Sequence, residues 1–315
     1  MAEIAVVDFA CLQSRRIDEC ESLEVNNLVD QVYQAFTTVG FLYIKNHGIP
    51  NDKVLHLFNV AKRFFLLPSK EKEKFSAVLT KDNNYHGWLA PGRQIVDPNE
   101  LYELKEAYHI VEPYNENVSW PMDGSGGEFQ EIVKDFYERC ENLSHAILQL
   151  ISYGLNIQDK NFFTKAHGKL SARTNNTSMR LLYYPFNDDL KSGDVRLGSH
   201  TDYGTITLLF QDQVGGLEVY SQNNGFVSAK PIEGAVLVNI GDLLQRWTND
   251  KLMSTKHRVV VPDEEIKRLC SRQSIAFFVF PDNSTVIKCF DGSSNYAEVT
   301  AKDYLNKKLS ETLVY

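Results

Sequence analysis

The sequence predicts a mainly β protein with flanking helices, a jelly roll or sandwich core behind an N-terminal helical region. Two observations carry this expectation. After about Ser178 the chain breaks into eight short β-rich runs at regular intervals, whereas the first half is dominated by apolar residues at helical spacing. The Gly-rich patch Asp123–Gly127 is short, and there is no repeat and no linker that would demand independent domains.

In the first half, Leu28, Val32, Ala35 and Phe36 form one helical face that Gly40 can end before the apolar run Phe41–Ile44, a strand. Asn51, after Pro50, can cap a second helix carrying Val54, Phe58, Ala61 and Phe65, with Pro68 stopping it. The clearest helical stripe is Phe129, Ile132, Val133, Phe136, Cys140, Leu143, Ile147 and Ile151, closed by Gly154. The β-rich runs are Met179–Tyr184, Asp194–His200, Thr205–Phe210, Leu217–Tyr220, Phe226–Ala229, Ala235–Asn239, His257–Val261 and Gln273–Phe280. Asn224-Gly225 is a tight-hairpin signal between two of them. The expected division is an N-terminal helical and β region over 1–120, a scaffold helix and connection over 121–175, the jelly roll over 176–283 and a C-terminal extension over 284–315.

Composition excludes several function classes. Of 315 residues 43% are apolar and 23% charged, and 33 basic against 41 acidic side chains leave a net charge of −8, which disfavours nucleic acid as a partner. No run approaches the length that spans a bilayer, and Met1–Ala10 lacks the pattern of a signal peptide, so a cytoplasmic location is expected. Cys11, Cys20, Cys140, Cys270 and Cys289 are scattered and without a Cys-x-x-Cys pair, which argues for reduced packing residues rather than disulfides or a thiolate zinc site.

The sharpest chemical feature is His200-Thr201-Asp202 followed by His257. Residues i and i+2 of a strand share a face, and a histidine from a second strand would complete two imidazoles and a carboxylate around one ion. That set leaves three octahedral positions open, as in non-haem Fe(II) oxygenases. By spacing alone the signal is weak, and a strand-end histidine bonded to a neighbour, with Asp202 holding turn amides, is the favoured reading.

The surrounding text weighs against that plainer reading. GSHTDYGTITLLFQDQVGGLEV, GAVLVNIGDLLQRWTNDKLMSTKHRVV and RQSIAFFVFPD resemble, in order and spacing, the isopenicillin N synthase-like branch of the Fe(II)- and 2-oxoglutarate-dependent dioxygenases, over most of Met179–Asp282. IAVVDFA and GFLYIKNHGI resemble the region that precedes the barrel in that family. The resemblance implies a double-stranded β-helix, with His200, Asp202 and His257 as iron ligands. It further implies Arg272 and Ser274 as the clamp on the far carboxylate of 2-oxoglutarate, and Tyr184 as a further donor. Arginine suits a carboxylate because its fork is charged and bidentate, and Arg272 and Ser274 share a strand parity. From residue type alone, Arg272 reads as a surface charge beside Lys267 and Arg268, and Tyr184 and Ser274 as strand packing.

The implied activity is oxidation, by default hydroxylation, of a C–H bond in a small-molecule substrate, using Fe(II), 2-oxoglutarate and O2, releasing succinate and CO2, and stimulated by ascorbate. Two departures stand out. Leu182 occupies a place where relatives often carry Asn, which keeps open an iron oxidase that does not use 2-oxoglutarate; a non-enzymatic or zinc-filled binding protein is a third reading. PDEEIKRLCS lengthens the interval from His257 to Arg272 and reads as a longer hairpin. Among other family-like residues, Asn46-His47-Gly48 reads as a turn, Asp242 as a cap and Trp247 as core or pocket mouth. Asn83–Gly92 with Lys105, Glu106 and Tyr108 resembles a substrate-facing region and could equally be packing.

Overall fold

The computed structural model describes residues 4–12, 17, 22–79, 85–92, 105–121 and 127–312. Cys20, Asn83 and most of the Gly-rich patch (123–126) lie outside the described residues. The first half runs β1 (Ala5–Asp8), α1 (Ser22–Thr38), β2 (Phe41–Lys45), α2 (Asn51–Phe65), α3 (Ser69–Glu73), β3 (Val78–Leu79), β4 (Tyr85–Leu89) and β5 (Glu106–Ile110). It continues with α4 (Glu128–Gly154) and α5 (Phe162–Ala166). The β-rich half follows as β6 (Ser178–Tyr184), β7 (Val195–His200), β8 (Ile206–Gln211), β9 (Leu217–Ser221), β10 (Gly225–Ser228) and β11 (Ala235–Ile240). Then come α6 (Asp242–Trp247), β12 (His257–Val260), α7 (Glu265–Arg268), β13 (Arg272–Val279), β14 (Val286–Ile287), β15 (Val299–Thr300) and α8 (Ala301–Thr312). All eight expected runs are strands within a residue or two of their expected ends.

Nine strands form one sheet in the order β1-β2-β11-β8-β13-β6-β5-β4-β3, and four form a second in the order β10-β9-β12-β7. Period-two alternation sorts the large sheet's two faces. On β13, Ile275, Phe277 and Val279 enter the core shared with α1, α2 and α4, whereas Arg272, Ser274, Ala276 and Phe278 line a cavity between the sheets. Neighbouring strands obey the same rule: Leu181 and Tyr183 of β6, Leu208 and Phe210 of β8 and Val236 and Val238 of β11 pack towards the helices. Leu182, Tyr184, Thr207, Leu209 and Asn239 line the cavity. A dry layer on one side therefore leaves the other face free for chemistry.

Several expectations need correction. The first half is not helices around one strand, because β1 to β5 extend the large sheet at both ends. Short strands such as Tyr-His-Gly-Trp-Leu mix polar, glycine and aromatic residues, so no clean alternation marks them. Pro50 rather than Asn51 stands at the N-cap of α2, and Asn51 makes no side-chain cap bond. Gly154 is the last residue of α4 and not a left-handed terminator. A Cβ there would meet Tyr33 of α1 at 3.0 Å, while Asn156 takes the positive φ just beyond. Gly40 does end α1, at φ +75° with its N–H on the Ala35 carbonyl at 3.0 Å. The β9–β10 hairpin pairs Ser221 with Gly225, so its loop has three residues with Gly225 left-handed at φ +68°, instead of a two-residue Asn-Gly turn.

The segment between His257 and Arg272 is a crossover. β12 pairs with β7 and β9 in the small sheet, and β13 with β6 and β8 in the large one, so the insertion carries α7 from one sheet to the other. Cys140 and Cys289 are buried and unpaired, Cys11 is half-buried and Cys270 exposed. Among the described residues no helix is long and apolar enough to cross a membrane.

Two buried imidazoles make the fold acid-sensitive. His167 is fully buried between the Phe163 carbonyl (Nδ1, 2.7 Å) and Thr205 Oγ1 (Nε2, 2.9 Å), and burial lowers its pKa from 6.5 to about 3. Burial likewise lowers His86 to about 4, although its bond to the Val111 carbonyl opposes this. Between those values and 6.5 the unfolded chain takes up protons that the folded chain refuses. The stability is therefore complete above pH 6.5 and is lost as pH falls towards 4 and then 3. Each ring should cost about 1.4 kcal/mol per pH unit within its window. Urea unfolding across pH 7 to 4.5 should show this slope, and His86→Phe should remove its own share; an unchanged slope in that variant would contradict the assignment.

Candidate active site

His200 is the last residue of β7 and His257 the first of β12, and the two are directly paired across the small sheet. Their rings stand 4.3 Å apart between centroids. Asp202 does not share a strand with His200, since β7 ends at His200 and Asp202 begins the loop to β8. The loop nevertheless turns its carboxylate inward: Asp202 Oδ1 lies 3.9 Å from His200 Nε2 and 3.8 Å from His257 Nε2. One ligand atom from each residue lies within 4.8 Å of the others. Donors at right angles around an ion with bonds of about 2.1 Å would sit about 3 Å apart, so closing on a metal needs an inward movement of under about 1 Å.

The donor chemistry is arranged for such an ion. His200 Nδ1 is bonded to the Gly198 carbonyl at 2.8 Å and His257 Nδ1 to the Thr255 carbonyl at 3.1 Å. A carbonyl can only accept, so these bonds place each proton on Nδ1 and leave the Nε2 lone pairs facing the centre. On Asp202, Oδ2 accepts from Thr207 Oγ1 at 2.6 Å and from Asn239 Nδ2 at 2.7 Å, which leaves Oδ1 for the ion. Burial, and then the neighbouring His257, lowers the His200 pKa to about 3, so the ring stays neutral as a ligand must be. Burial alone would raise the Asp202 pKa; the two imidazoles and the bonds from Thr207 and Asn239 outweigh it and hold the carboxyl below its usual range.

Arg272, Ser274 and Tyr184 lie on the large sheet's cavity face. Arg272 is 1% exposed, which removes the reading of a solvated surface charge. Its Nε donates to the Gly215 carbonyl at 2.8 Å, Nη1 to Ser274 Oγ at 3.2 Å and Nη2 to Gln211 Oε1 at 3.4 Å. A guanidinium has five N–H donors, so one on each Nη remains to grip a carboxylate bidentately. Tyr184 pairs with Arg272 across β6–β13, its ring 5.0 Å from the guanidinium carbon. Leu182 faces the cavity beside Ser274 and offers no hydrogen bond.

Other family-like residues have structural places. Asn46 and Gly48 take positive φ in the turn after β2, where His47 Nδ1 accepts the Ile49 N–H at 3.2 Å. Asp242 makes no cap bond. It accepts from Ser254 Oγ at 2.7 Å and from Tyr304 and Lys308 of α8 at 3.1 Å, tying down the helix whose Leu305 and Leu309 close the cavity. Trp247 is core, against Phe162 and Phe163. Of the region expected to face substrate, His86, Trp88 and Tyr108 pack on the helical side, and Trp88 Nε1 donates to Glu106 Oε2 at 2.8 Å. Lys105 faces the cavity.

Residues 175–281 match the family model of the 2OG-Fe(II) oxygenase superfamily, and residues 4–125 that of the non-haem dioxygenase in morphine synthesis N-terminal region. A proline hydroxylase of Petromyces alliaceus is 35% identical over 304 residues, covering 90% of this chain and 93% of the relative. The chain belongs to the 2-oxoglutarate- and Fe(II)-dependent oxygenase superfamily. Another oxygenase relative, a 2-oxoglutarate-dependent dioxygenase of Glarea lozoyensis, is 31% identical over 89% of this chain and 91% of its own. The crystal structure of a full-length Neurospora crassa protein in complex with alpha-KG superposes with a TM-score of 0.82 at 32% identity, covering 98% of this chain and 96% of that one, and the same protein has been crystallised with thymine. The protein is thus a 2-oxoglutarate-dependent dioxygenase whose cofactors are Fe(II) and 2-oxoglutarate, which sets aside both the 2-oxoglutarate-independent oxidase and the non-enzymatic binding protein.

The sequence did not mark the residues that orient the His-Asp-His cluster and Arg272. Asn239 was visible as a polar residue in the apolar run Ala235–Ile240, and Thr207 shares the cavity parity of β8; Gln211 and Gly215 carried no signal. Because Thr207 and Asn239 fix which Asp202 oxygen faces the ion, Asn239→Ala should weaken Fe(II) or Mn(II) affinity by about 10- to 100-fold, and Thr207→Val should act in the same direction. Anaerobic metal titration reads this directly. Wild-type affinity in both variants would remove their orienting role.

Proposed function

We propose that His200, Asp202 and His257 hold Fe(II), that Arg272 and Ser274, backed by Tyr184, hold the far carboxylate of 2-oxoglutarate, and that the enzyme hydroxylates a C–H bond of a small cytosolic metabolite. The observation that carries this reading is the convergence of two Nε2 lone pairs and one carboxylate oxygen in a buried pocket, each with its other polar atom already bonded. When bound, Fe(II) with 2-oxoglutarate and O2 supplies the oxidising power for C–H cleavage, succinate and CO2 being the co-products.

The chain's own residues do the rest. The backbone carbonyls of Gly198 and Thr255 keep both imidazoles in the ligating tautomer, and the buried Arg272 would match the charge of the far carboxylate of 2-oxoglutarate. Leu209, Leu217 and Val259 give apolar walls that exclude water, which strengthens every charged contact inside. A cavity of about 190 Å³ suits a small molecule, as do relatives described as acting on proline or crystallised with thymine. Leu182 lines the cavity beside Ser274 and would offer the methylene chain of a bound 2-oxoglutarate an apolar contact in place of the missing amide.

His257→Ala should abolish Fe(II)-dependent succinate formation and lose metal binding. Turnover at the wild-type rate would refute the ligand assignment. Arg272→Ala should retain the metal and raise the 2-oxoglutarate requirement by about 10- to 100-fold, the equivalent of one charge-assisted contact. Co-substrate titration in the presence of saturating Fe(II) checks it, and an unchanged requirement would place the carboxylate elsewhere.

A further inference from the structure

A second buried guanidinium, Arg196, stands near the clamp and has no counter-charge of its own. It lies on β7, the edge strand of the small sheet, next to Leu197, which lines the cavity. Strict alternation would therefore turn Arg196 outward to solvent. The ladder with β12 breaks that alternation: Leu197 pairs with Val259 and Val195 with Val260, which leaves Arg196 as an extra residue in a β-bulge. A bulge re-aims the side chain it inserts. Arg196 is 2% exposed, so an edge-strand arginine has been taken out of water.

Its Nε and Nη1 are buried without a hydrogen-bond partner. Arginine is almost never fully buried unless paired, and an isolated buried charge is strongly unfavourable. The groups that act on it belong to the clamp and its surroundings. Burial, and then the charge of Arg272, lower the Arg196 pKa, while Tyr184 and Asp212 oppose them. Asp212 follows β8, and its two oxygens are held by backbone N–H groups, Oδ2 by Gln273 at 2.5 Å and Oδ1 by Val214 at 3.0 Å. Burial raises the Asp212 pKa; Arg272, these two bonds and Arg196 pull against it. Two guanidinium charges thus share one carboxylate, and one positive charge is left over. Without Arg196, Arg272 and Asp212 would cancel, and the clamp would keep its donors but lose its net charge.

We propose that Arg196 is a positioning residue that makes the clamp selective for a 2-oxo acid with an ionised far carboxylate, by supplying from behind Arg272 the positive charge that this carboxylate neutralises. The inference rests on the reading that Arg272 receives the far carboxylate. Among the described residues Arg272 lines the cavity and Arg196 does not, so the first touches the ligand and the second acts through the field. The bulge on β7 is the device that brings the charge to this place. In the ligand-free protein the charge stands unbalanced; with a dianionic 2-oxo acid bound it is matched. A 2-oxo acid ending in a methyl group leaves it unmatched, and this is the basis of the selectivity.

The test titrates full-length, Mn(II)-loaded protein calorimetrically with two probes, 2-oxoglutarate and 2-oxopentanoate, which keeps the chain and the 2-oxo acid head but ends in a methyl group. Arg196→Met should weaken 2-oxoglutarate about tenfold and leave 2-oxopentanoate within about twofold, and Arg196→Lys should recover most of the loss. Thermal unfolding supplies a second reading. Without ligand, Arg196→Met should melt no lower than wild type, because a buried unpaired charge has gone, and saturating 2-oxoglutarate should raise its Tm by less. Should 2-oxopentanoate bind too weakly to titrate, the thermal arm decides alone. Wild-type affinity for 2-oxoglutarate in Arg196→Met, equal loss of both probes, or a lower Tm without ligand would each overturn the role, the last two marking a merely structural arginine. Arg272→Ala tests the reading beneath: if it leaves 2-oxoglutarate affinity unchanged, the clamp assignment fails whatever Arg196→Met shows.

Discussion

The grip of Thr207 and Asn239 on Asp202 Oδ2 is the constraint on which the site turns. Both donors stand on the large sheet, on β8 and β11, while the loop that carries Asp202 leaves the small sheet at the end of β7. Two short bonds therefore fasten one sheet's loop to the other sheet's face and decide which carboxylate oxygen is offered to the cavity. The backbone around that loop is drawn equally tight. The Asp242 N–H meets the Asp202 carbonyl at 2.7 Å, and a Cβ at Gly241 would land on the Gly204 carbonyl. A buried carboxylate without these partners would have its charge suppressed by desolvation; with them and two imidazoles it stays ionised.

A second constraint is parity. One residue's slip on β13 would send Arg272 and Ser274 into the helix-packed core and bring Gln273 and Ile275 to the cavity. The register is protected by the apolar stripe on the other face, where Ile275, Phe277 and Val279 meet the helices. Packing energy on the dry side thus fixes chemistry on the wet side. The same alternation on β5 and β6 brings His109 and Arg180 to the cavity side of that face.

Much of this was legible in the sequence, and the omissions have physical causes. The large-sheet strands of the barrel announce themselves because each alternates between a dry face and the cavity. β4 and β5 escape notice because one carries a glycine and both carry polar residues, His86, Glu106 and His109, that alternation rules do not expect inside a sheet. The crossover between β12 and β13 could not be told from a hairpin, since sequence adjacency says nothing about which sheet a strand joins. At the site, the two histidines, Asp202 and Arg272 stood out through the family resemblance, since from residue type alone Arg272 reads as a surface charge. The partners that orient them, Thr207, Asn239, Gln211 and Gly215, come from strands and turns brought near only by the fold.

The most direct test of the account is where iron sits. Diffraction at the iron edge on anaerobic crystals grown with Fe(II) and 2-oxoglutarate should show a single ion, with His200 Nε2, His257 Nε2 and Asp202 Oδ1 each at about 2.1 Å, and Asp202 Oδ2 still held by Thr207 and Asn239. An ion bound through Nδ1 of either ring, lacking one of the three residues, or seated elsewhere in the barrel would contradict it.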